Sequence, residues 1–216
     1  MDMEIPADEI TLEGELEIPD GVIGVVAFAH GTGSGRFSPR NQQVAAVLRR
    51  RGLGTLLMDL LTEEEEQTDL STAHLRFDIG LLAHRMTSAV DWLAEMKESS
   101  GLPVGLFGAS TGAAAALVAA ARRSNLVRAV VSRGGRPDLA DDALSSVRAP
   151  TLLLVGGKDD QVLELNRAAM ERMTGEVELE VVPGATHLFE EPGALDEVAR
   201  LAADWFTKYI AKPAAP

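Results

Sequence analysis

"GLFGASTGAAAALVAAA", residues 105–121, sets a serine between glycines, after an apolar run and before a run of alanines. Read locally, it is a strand, a tight turn and a helix. A GxSxG in that setting lifts the serine hydroxyl above a sheet, with glycines making room for the crowded backbone. Ser110 then stands at the start of a helix, where free N–H groups and partial positive charge favour a developing oxyanion. Serine is also a preferred helix N-cap. The stretch therefore poses a choice between cap and nucleophile that the rest of the chain must settle.

Working outward, "VIGVVAFA" (22–29), "GTLLMD" (54–59), "PVGLF" (103–107), "VRAVVS" (127–132), "TLLLVG" (151–156) and "VELEVV" (177–182) are short and mostly continuously apolar. Such runs mark strands covered on both faces. Between them lie helical patterns over about 40–51, 111–123, 161–173 and 193–210. The clearest is Leu75, Ile79, Leu82, Met86, Val90, Leu93 and Met96, spaced three or four apart on one face. Strand and helix thus alternate, which calls for an α/β fold with a parallel sheet, right-handed crossovers and functional groups at the strands' carboxyl ends. "EITLEGELEI" (9–18) alternates polar and apolar before the turn "PDG" and reads as an edge hairpin. The acidic run "EEEEQTD" (63–69) reads as a solvated loop, and "AKPAAP" as a frayed tail.

A serine hydroxyl needs a base, and the chain offers four histidines. His74 and His84 fall on the long helical segment. His30 follows the first buried strand and reads as a shaper of its loop. His187, in "PGATHLFEEPG" between the last strand and the last helix, is the base this reading selects. The base needs a carboxylate at another strand end to fix its tautomer. "TLLLVGGKDDQV" supplies Asp159, with Asp160 in reserve as a helix cap, and Asp59 is the competitor. The loop "AHGTGSGRFSPRN" is rich in glycine: Thr32 or Gly33 offers one backbone N–H for an oxyanion hole, and Thr111 the other. Neither a Rossmann fingerprint, which needs glycine where Arg36 stands, nor a Walker loop fits that stretch, and no histidine pair has zincin spacing.

A chain of 216 residues suits a single domain over 1–216, its core about 9–210, burying about 70% of the unfolded chain's surface. Having no cysteine excludes disulfides and a thiolate nucleophile, and suits a reducing cytoplasm. The N-terminus lacks a secretory signal and no apolar run reaches membrane-spanning length, so the expected location is cytoplasmic. Thirty-three acidic against twenty basic residues give a net charge of −13, which repels phosphate backbones and anionic membranes. Nucleic acid and membrane are therefore excluded as expected partners, and the oligomeric state is left open.

"HGTG" (30–33), "GASTG" (108–112), "GGKDD" (156–160) and "GATH" (184–187) stand in the order of the α/β-hydrolase superfamily, and the chain resembles its small dienelactone-hydrolase-like serine esterases. The resemblance implies an eight-stranded, mostly parallel sheet whose first hairpin is antiparallel, and hydrolysis through an acyl-serine intermediate without a cofactor. Dienelactone hydrolases proper typically use cysteine, so their substrate is not carried over. Only "RGGRPDLADDALSSVRAP" fits where many relatives insert a cap domain, which leaves a loop, one short helix and an open site. Arg133, ending a strand, and Arg36 and Arg40, bordering the oxyanion loop, are candidates to meet a substrate carboxylate. The expected function is cleavage of small or accessible carboxylic esters by Ser110, Asp159 and His187. Acyl transfer or amide and peptide cleavage with the same triad, and a noncatalytic ligand-binding module, are the alternatives.

Overall fold

The computed structural model describes residues 1–211; residues 212–216, most of the tail, lie outside them. One eight-stranded sheet is built from β1 (Asp2–Ala7), β2 (Ile10–Glu17), β3 (Gly24–Ala29), β4 (Leu53–Met58), β5 (Val104–Ala109), β6 (Val127–Arg133), β7 (Thr151–Gly156) and β8 (Val177–Val182), in the spatial order β1-β2-β4-β3-β5-β6-β7-β8. β2 is antiparallel to both β1 and β4, and every other pairing is parallel. This is the α/β-hydrolase architecture the motif order implied, without a sizeable cap domain.

The helices are α1 (Pro39–Arg50), α2 (Glu63–Thr72), α3 (Ile79–Glu95), α4 (Thr111–Arg122), α5 (Asp160–Arg172) and α6 (Ala194–Ile210). α1 and α6 cover one face of the sheet, where Phe28, Phe107, Leu48, Val198 and Phe206 close a core. α3 and α4 cover the other, with Leu106, Val130, Met86 and the alanines of α4. Every residue of β3, β4, β5 and β7 is buried, which is why those segments read as unbroken apolar runs. Alanine at 113–116 is a strong helix former and short enough for α4 to lie close on β5.

Four local readings are corrected. The hairpin partner of β2 is β1, upstream through a turn with Asp8 at φ 54°, rather than the strand after "PDG". β1 carries Pro6 at the sheet edge, where a missing N–H is tolerated. β8 is an edge strand with Glu178 and Glu180 exposed, not one covered on both faces. "EEEEQTD" forms most of α2: Thr62 Oγ1 accepts from Glu65 N–H, and Thr62 N–H donates to Glu65 Oε2 at 2.8 Å. That reciprocal cap, with four glutamates in a positive first turn, stabilises helix where charge alone suggested loop. The long helix starts at Ile79, because Asp78 accepts from Leu81 N–H and caps it; Leu75 belongs to a separate 3-10 turn at Leu75–Phe77. After β6, the short insert is 3-10 in character over Pro137–Ser146, broken at Asp141.

The order of strands places the chemistry. From β3 the chain steps to β4 on one side, then returns through α2 and α3 to β5 on the other. The carboxyl ends of β3 and β5 therefore diverge into loops at a switch point, where α/β sheets hold ligands.

Candidate active site

Ser110 follows β5 with φ 51° and ψ −122°, a backbone conformation unusual for a residue with a side chain. Its N–H donates to Arg133 O at 3.3 Å, and its carbonyl accepts from Ala113 N–H and Arg136 N–H at 3.1 and 3.0 Å. The strain is thus fixed from three directions. Both glycines of the motif are sterically required: a Cβ on Gly108 would overlap the backbone of Ala113, and one on Gly112 the carbonyl oxygens of Ala29 and His30. Although Ser110 occupies the N-cap position of α4, its side chain makes no capping hydrogen bond. The hydroxyl is left available.

The loop after β8 is fastened to the turn after β7 by backbone bonds, Gly157 N–H to Val182 O and Lys158 N–H to Ala185 O, both 2.9 Å. A side chain on Gly156 would overlap the carbonyl oxygens of Ala185 and Thr186, so the "GG" of that turn permits the close approach. The result is that His187 Nδ1 meets Asp159 Oδ2 at 2.6 Å. Asp159 stands at the N-cap of α5 yet gives the helix no capping bond; its carboxylate faces the histidine instead. Asp160, held in reserve, is the exposed first residue of α5. His187 is tied back to the surroundings of Ser110 through Gly134, where an added Cβ would come within 3.1 Å of His187 O and 3.5 Å of its ring Cε1. Gly134 adjoins Arg133, whose carbonyl receives Ser110 N–H. Among the described residues, Ser110 and His187 do not hydrogen-bond directly.

The loop after β3 closes the other side. Gly31 packs so near Ser110 that a Cβ on it would lie 2.8 Å from the serine's own. Thr32 Oγ1 and Thr111 Oγ1 are 3.4 Å apart, joining the two loops proposed to supply N–H donors. Gly33, at φ 66°, turns the chain so that Ser34 N–H reaches Gly31 O. His30 accepts from Leu60 N–H through Nε2 at 2.9 Å, which makes Nε2 an acceptor and leaves the ring proton on Nδ1, 3.0 Å from Gly31 O. That fits the reading of His30 as a loop shaper. His74 precedes the short 3-10 turn rather than lying inside a helix, and His84 pairs with Asp8 at the protein's edge.

Arg36 is not free for a ligand, contrary to its place among the substrate-binding candidates. Its guanidinium pairs with Asp59 and Glu13, and its N–H donates to Asp59 Oδ1 at 2.7 Å. Burial alone would lower its pKa, but the two carboxylates outweigh that and hold it up. The same contacts occupy Asp59, the competitor for the triad acid. Arg133 differs: it is 8% exposed and its Nη1 is buried without an acceptor.

A cleft of about 40 Å³ opens beside these loops, lined by His30, Thr32, Gly33, Leu60, Leu70 and Thr111 among others. α2 and the turn after it form its outer wall, which sequence reading missed, because a run of glutamates carries no sign of the cleft it will border. Among the described residues no group of three or more histidines and carboxylates is placed to hold a metal ion, and no helix is long and apolar enough to cross a membrane.

The chain is 57% identical to a dienelactone hydrolase from Anabaena variabilis ATCC 29413, with a TM-score of 0.95 over 97% of each chain. Est1E from Butyrivibrio proteoclasticus superposes with a TM-score of 0.81 over 98% of this chain and 99% of its own, at 17% identity, which speaks for the fold alone. Proteins of two Mycobacterium tuberculosis strains, each named "Putative phosphoribosyl transferase", are 55% identical over 98% of this chain. The alignment covers 47% of them, so the chain spans about half the length of the curated relatives it matches. The dienelactone hydrolase family model matches residues 16–211, from the second strand through the last helix, and the chain belongs to that family.

Proposed function

We propose that this hydrolase-family chain is a serine esterase acting on small or accessible carboxylic esters. The observation that carries the reading is the His187–Asp159 hydrogen bond, built on one pair of loops beside the strained turn that presents Ser110. In this reading His187 Nε2 takes the Ser110 proton as Oγ attacks the ester carbonyl. The N–H groups of Thr111 and of Thr32 or Gly33 hold the oxyanion. Collapse breaks the ester C–O bond, and the proton on His187 leaves with the alcohol. Water, deprotonated by the same histidine, then releases the acid and restores Ser110. Asp159 keeps the proton of the resting imidazole on Nδ1 and stabilises the imidazolium. The small cleft under α2 suits a short acyl or alkoxy group.

A fluorophosphonate probe tests the nucleophile. One covalent label is expected on the wild type and none on Ser110→Ala; a label that survives the substitution overturns the assignment. The 55% identity with the mycobacterial proteins, whose name describes molecules about twice as long, supports a second reading, phosphoribosyl transfer. Release of pyrophosphate from a phosphoribosyl donor, with no turnover of p-nitrophenyl acetate, would favour it over the esterase. Product analysis with added alcohols or amines separates hydrolysis from acyl transfer.

A further inference from the structure

The cleft beside Thr32 and Thr111 adjoins a larger groove. The cleft, of about 40 Å³, holds a short group only, but Gly33, Ser34, Leu61 and Glu66 line both it and a groove of about 670 Å³ between the oxyanion loop and the start of α2. A volume of that size suits a whole small molecule. One wall is fixed by the loop after β3: Arg36 N–H donates to Asp59 Oδ1 at 2.7 Å, and Gln42 Nε2 donates to Arg36 O at 3.0 Å. A Cβ on Gly35 would lie 2.7 Å from the same Asp59 oxygen, so glycine lets the loop close on it. The opposite wall is the first turn of α2, held by the reciprocal Thr62–Glu65 cap.

The groove is negative once its internal pairs are cancelled. Its carboxylates are Glu13, Asp59, Glu63 and Glu66, and its cations Arg36 and Arg40. Arg36 is held by Asp59 and Glu13 together, and Arg40 contacts Glu190 at 3.4 Å. Glu63 and Glu66, both exposed, have no cationic partner among the described residues. The start of α1 also borders the groove, where Pro39 removes one of the N–H groups that an anion would use. Ser38, just before it, lines the groove although only 9% exposed, and its hydroxyl neither caps α1 nor makes another hydrogen bond among the described residues. A hydroxyl left unspent on so buried a residue is a place for a ligand's donor. Phe37, 71% exposed, stands beside it with the Arg36 guanidinium 4.3 Å over one face of its ring. The rest of the ring suits the carbon-rich shell of an alkylammonium ion.

We infer that this groove binds an alkylammonium group, so that the preferred substrates are short-chain esters of amino alcohols. The inference rests on the esterase reading for the ester, but not for the cation site itself. The short acyl group enters the cleft by Thr32 and Thr111, and the alcohol portion extends past Gly33 and Ser34 into the groove. There Glu63 and Glu66 supply the opposite charge, Ser38 Oγ accepts from the ammonium N–H, and Phe37 covers its carbon atoms. All four line the groove, so an incoming cation reaches them without moving the fold.

The probes are 2-(dimethylamino)ethyl acetate, an ammonium ester at pH 7, and its neutral isostere 3-methylbutyl acetate. The ratio of their kcat/KM values is read on wild type, Glu63→Gln/Glu66→Gln, Ser38→Ala and Glu64→Gln, so that intrinsic ester reactivity cancels between proteins. It is expected to favour the ammonium ester in the wild type and to fall about fourfold in the double variant, about twofold for each exposed carboxylate. Ser38→Ala is expected to lower it about threefold, for one lost hydrogen bond. Glu64→Gln removes a charge from the same turn of α2 but outside the groove, and is expected to keep the wild-type ratio. A wild-type preference for the neutral ester, a ratio untouched in the double variant or in Ser38→Ala, or an equal fall in Glu64→Gln each overturns the inference. Titration calorimetry with 2-dimethylaminoethanol against 3-methylbutan-1-ol reads the site without turnover. The amine is expected to bind the wild type, and the double variant more weakly; no binding to the wild type overturns the inference. Fluorophosphonate labelling of the same samples reports on Ser110 alone. Labelling without amine binding rejects the cation site and leaves the esterase reading standing, and amine binding without labelling does the reverse.

Discussion

His187 Nδ1 and Asp159 Oδ2 stand 2.6 Å apart although 28 residues separate them, and the contact exists because two backbone bonds fasten the loop after β8 to the turn after β7. The carboxylate fixes the imidazole tautomer. Asp159→Asn keeps the shape but can donate to Nδ1, which would leave the ring proton on Nε2, so that the nitrogen facing Ser110 can no longer take its proton. Turnover of p-nitrophenyl acetate is expected to fall about 10,000-fold, by the precedent of the serine protease triad, with the far-ultraviolet spectrum unchanged. A loss under tenfold would assign the acid role elsewhere.

Ser110 at φ 51° holds strain of about 1–3 kcal/mol that glycine would not feel. Glycine also frees the unfolded chain, which offsets about 0.4–1 kcal/mol of the gain. Ser110→Gly is therefore expected to melt above Ser110→Ala by about 2–4 °C per net kcal/mol, with both inactive. Calorimetry on the pair checks it. Equal melting temperatures would mean that the elbow relaxes when the hydroxyl is lost.

Gly112→Ala sets two effects against each other. Alanine favours helix by about 1 kcal/mol, yet its Cβ would overlap the carbonyl oxygens of Ala29 and His30. Those neighbours are backbone and cannot swing aside. Overpacking is expected to win, with a net loss of about 1–3 kcal/mol in urea denaturation and a fall in turnover as the loop carrying Thr32 is pushed away.

Glu65 locks α2 to the body of the protein. It accepts from Arg85 Nη1 and Nη2 at 2.7 and 2.5 Å, and Arg85, 4% exposed, also donates to Leu60 O. The Arg85 hydrogen bonds lower the Glu65 pKa from its ordinary 4.5, against the opposing effect of burial. A lowered carboxyl pKa stabilises the fold above that ordinary value, and the contribution is lost as pH falls through the folded value. Glu65→Gln is expected to cost about 2–3 kcal/mol at pH 7, because Arg85 is left buried without its counter-charge. The gap from wild type should close as the pH is taken below 4.5. A gap independent of pH would show that packing, not charge, holds α2.

The sequence by itself determined the alternation of strand and helix and the order of the four loops at the strands' carboxyl ends. Apolar runs, alanine periodicity and glycine turns are local, and they locate "GASTG", "GGKDD" and "GATH" without reference to the rest of the molecule. Only the tertiary structure decided what depends on neighbours distant in the chain. It gave β2 its partner in β1, turned a glutamate run into the wall of a cleft, and separated Asp159 from Asp59 by pairing the latter with Arg36. It also left Arg133 buried with no carboxylate partner among the described residues, a distinction between arginines that composition cannot carry. A residue's chemistry is written in the chain, but its charge balance and its partners are set by which strands the fold makes adjacent.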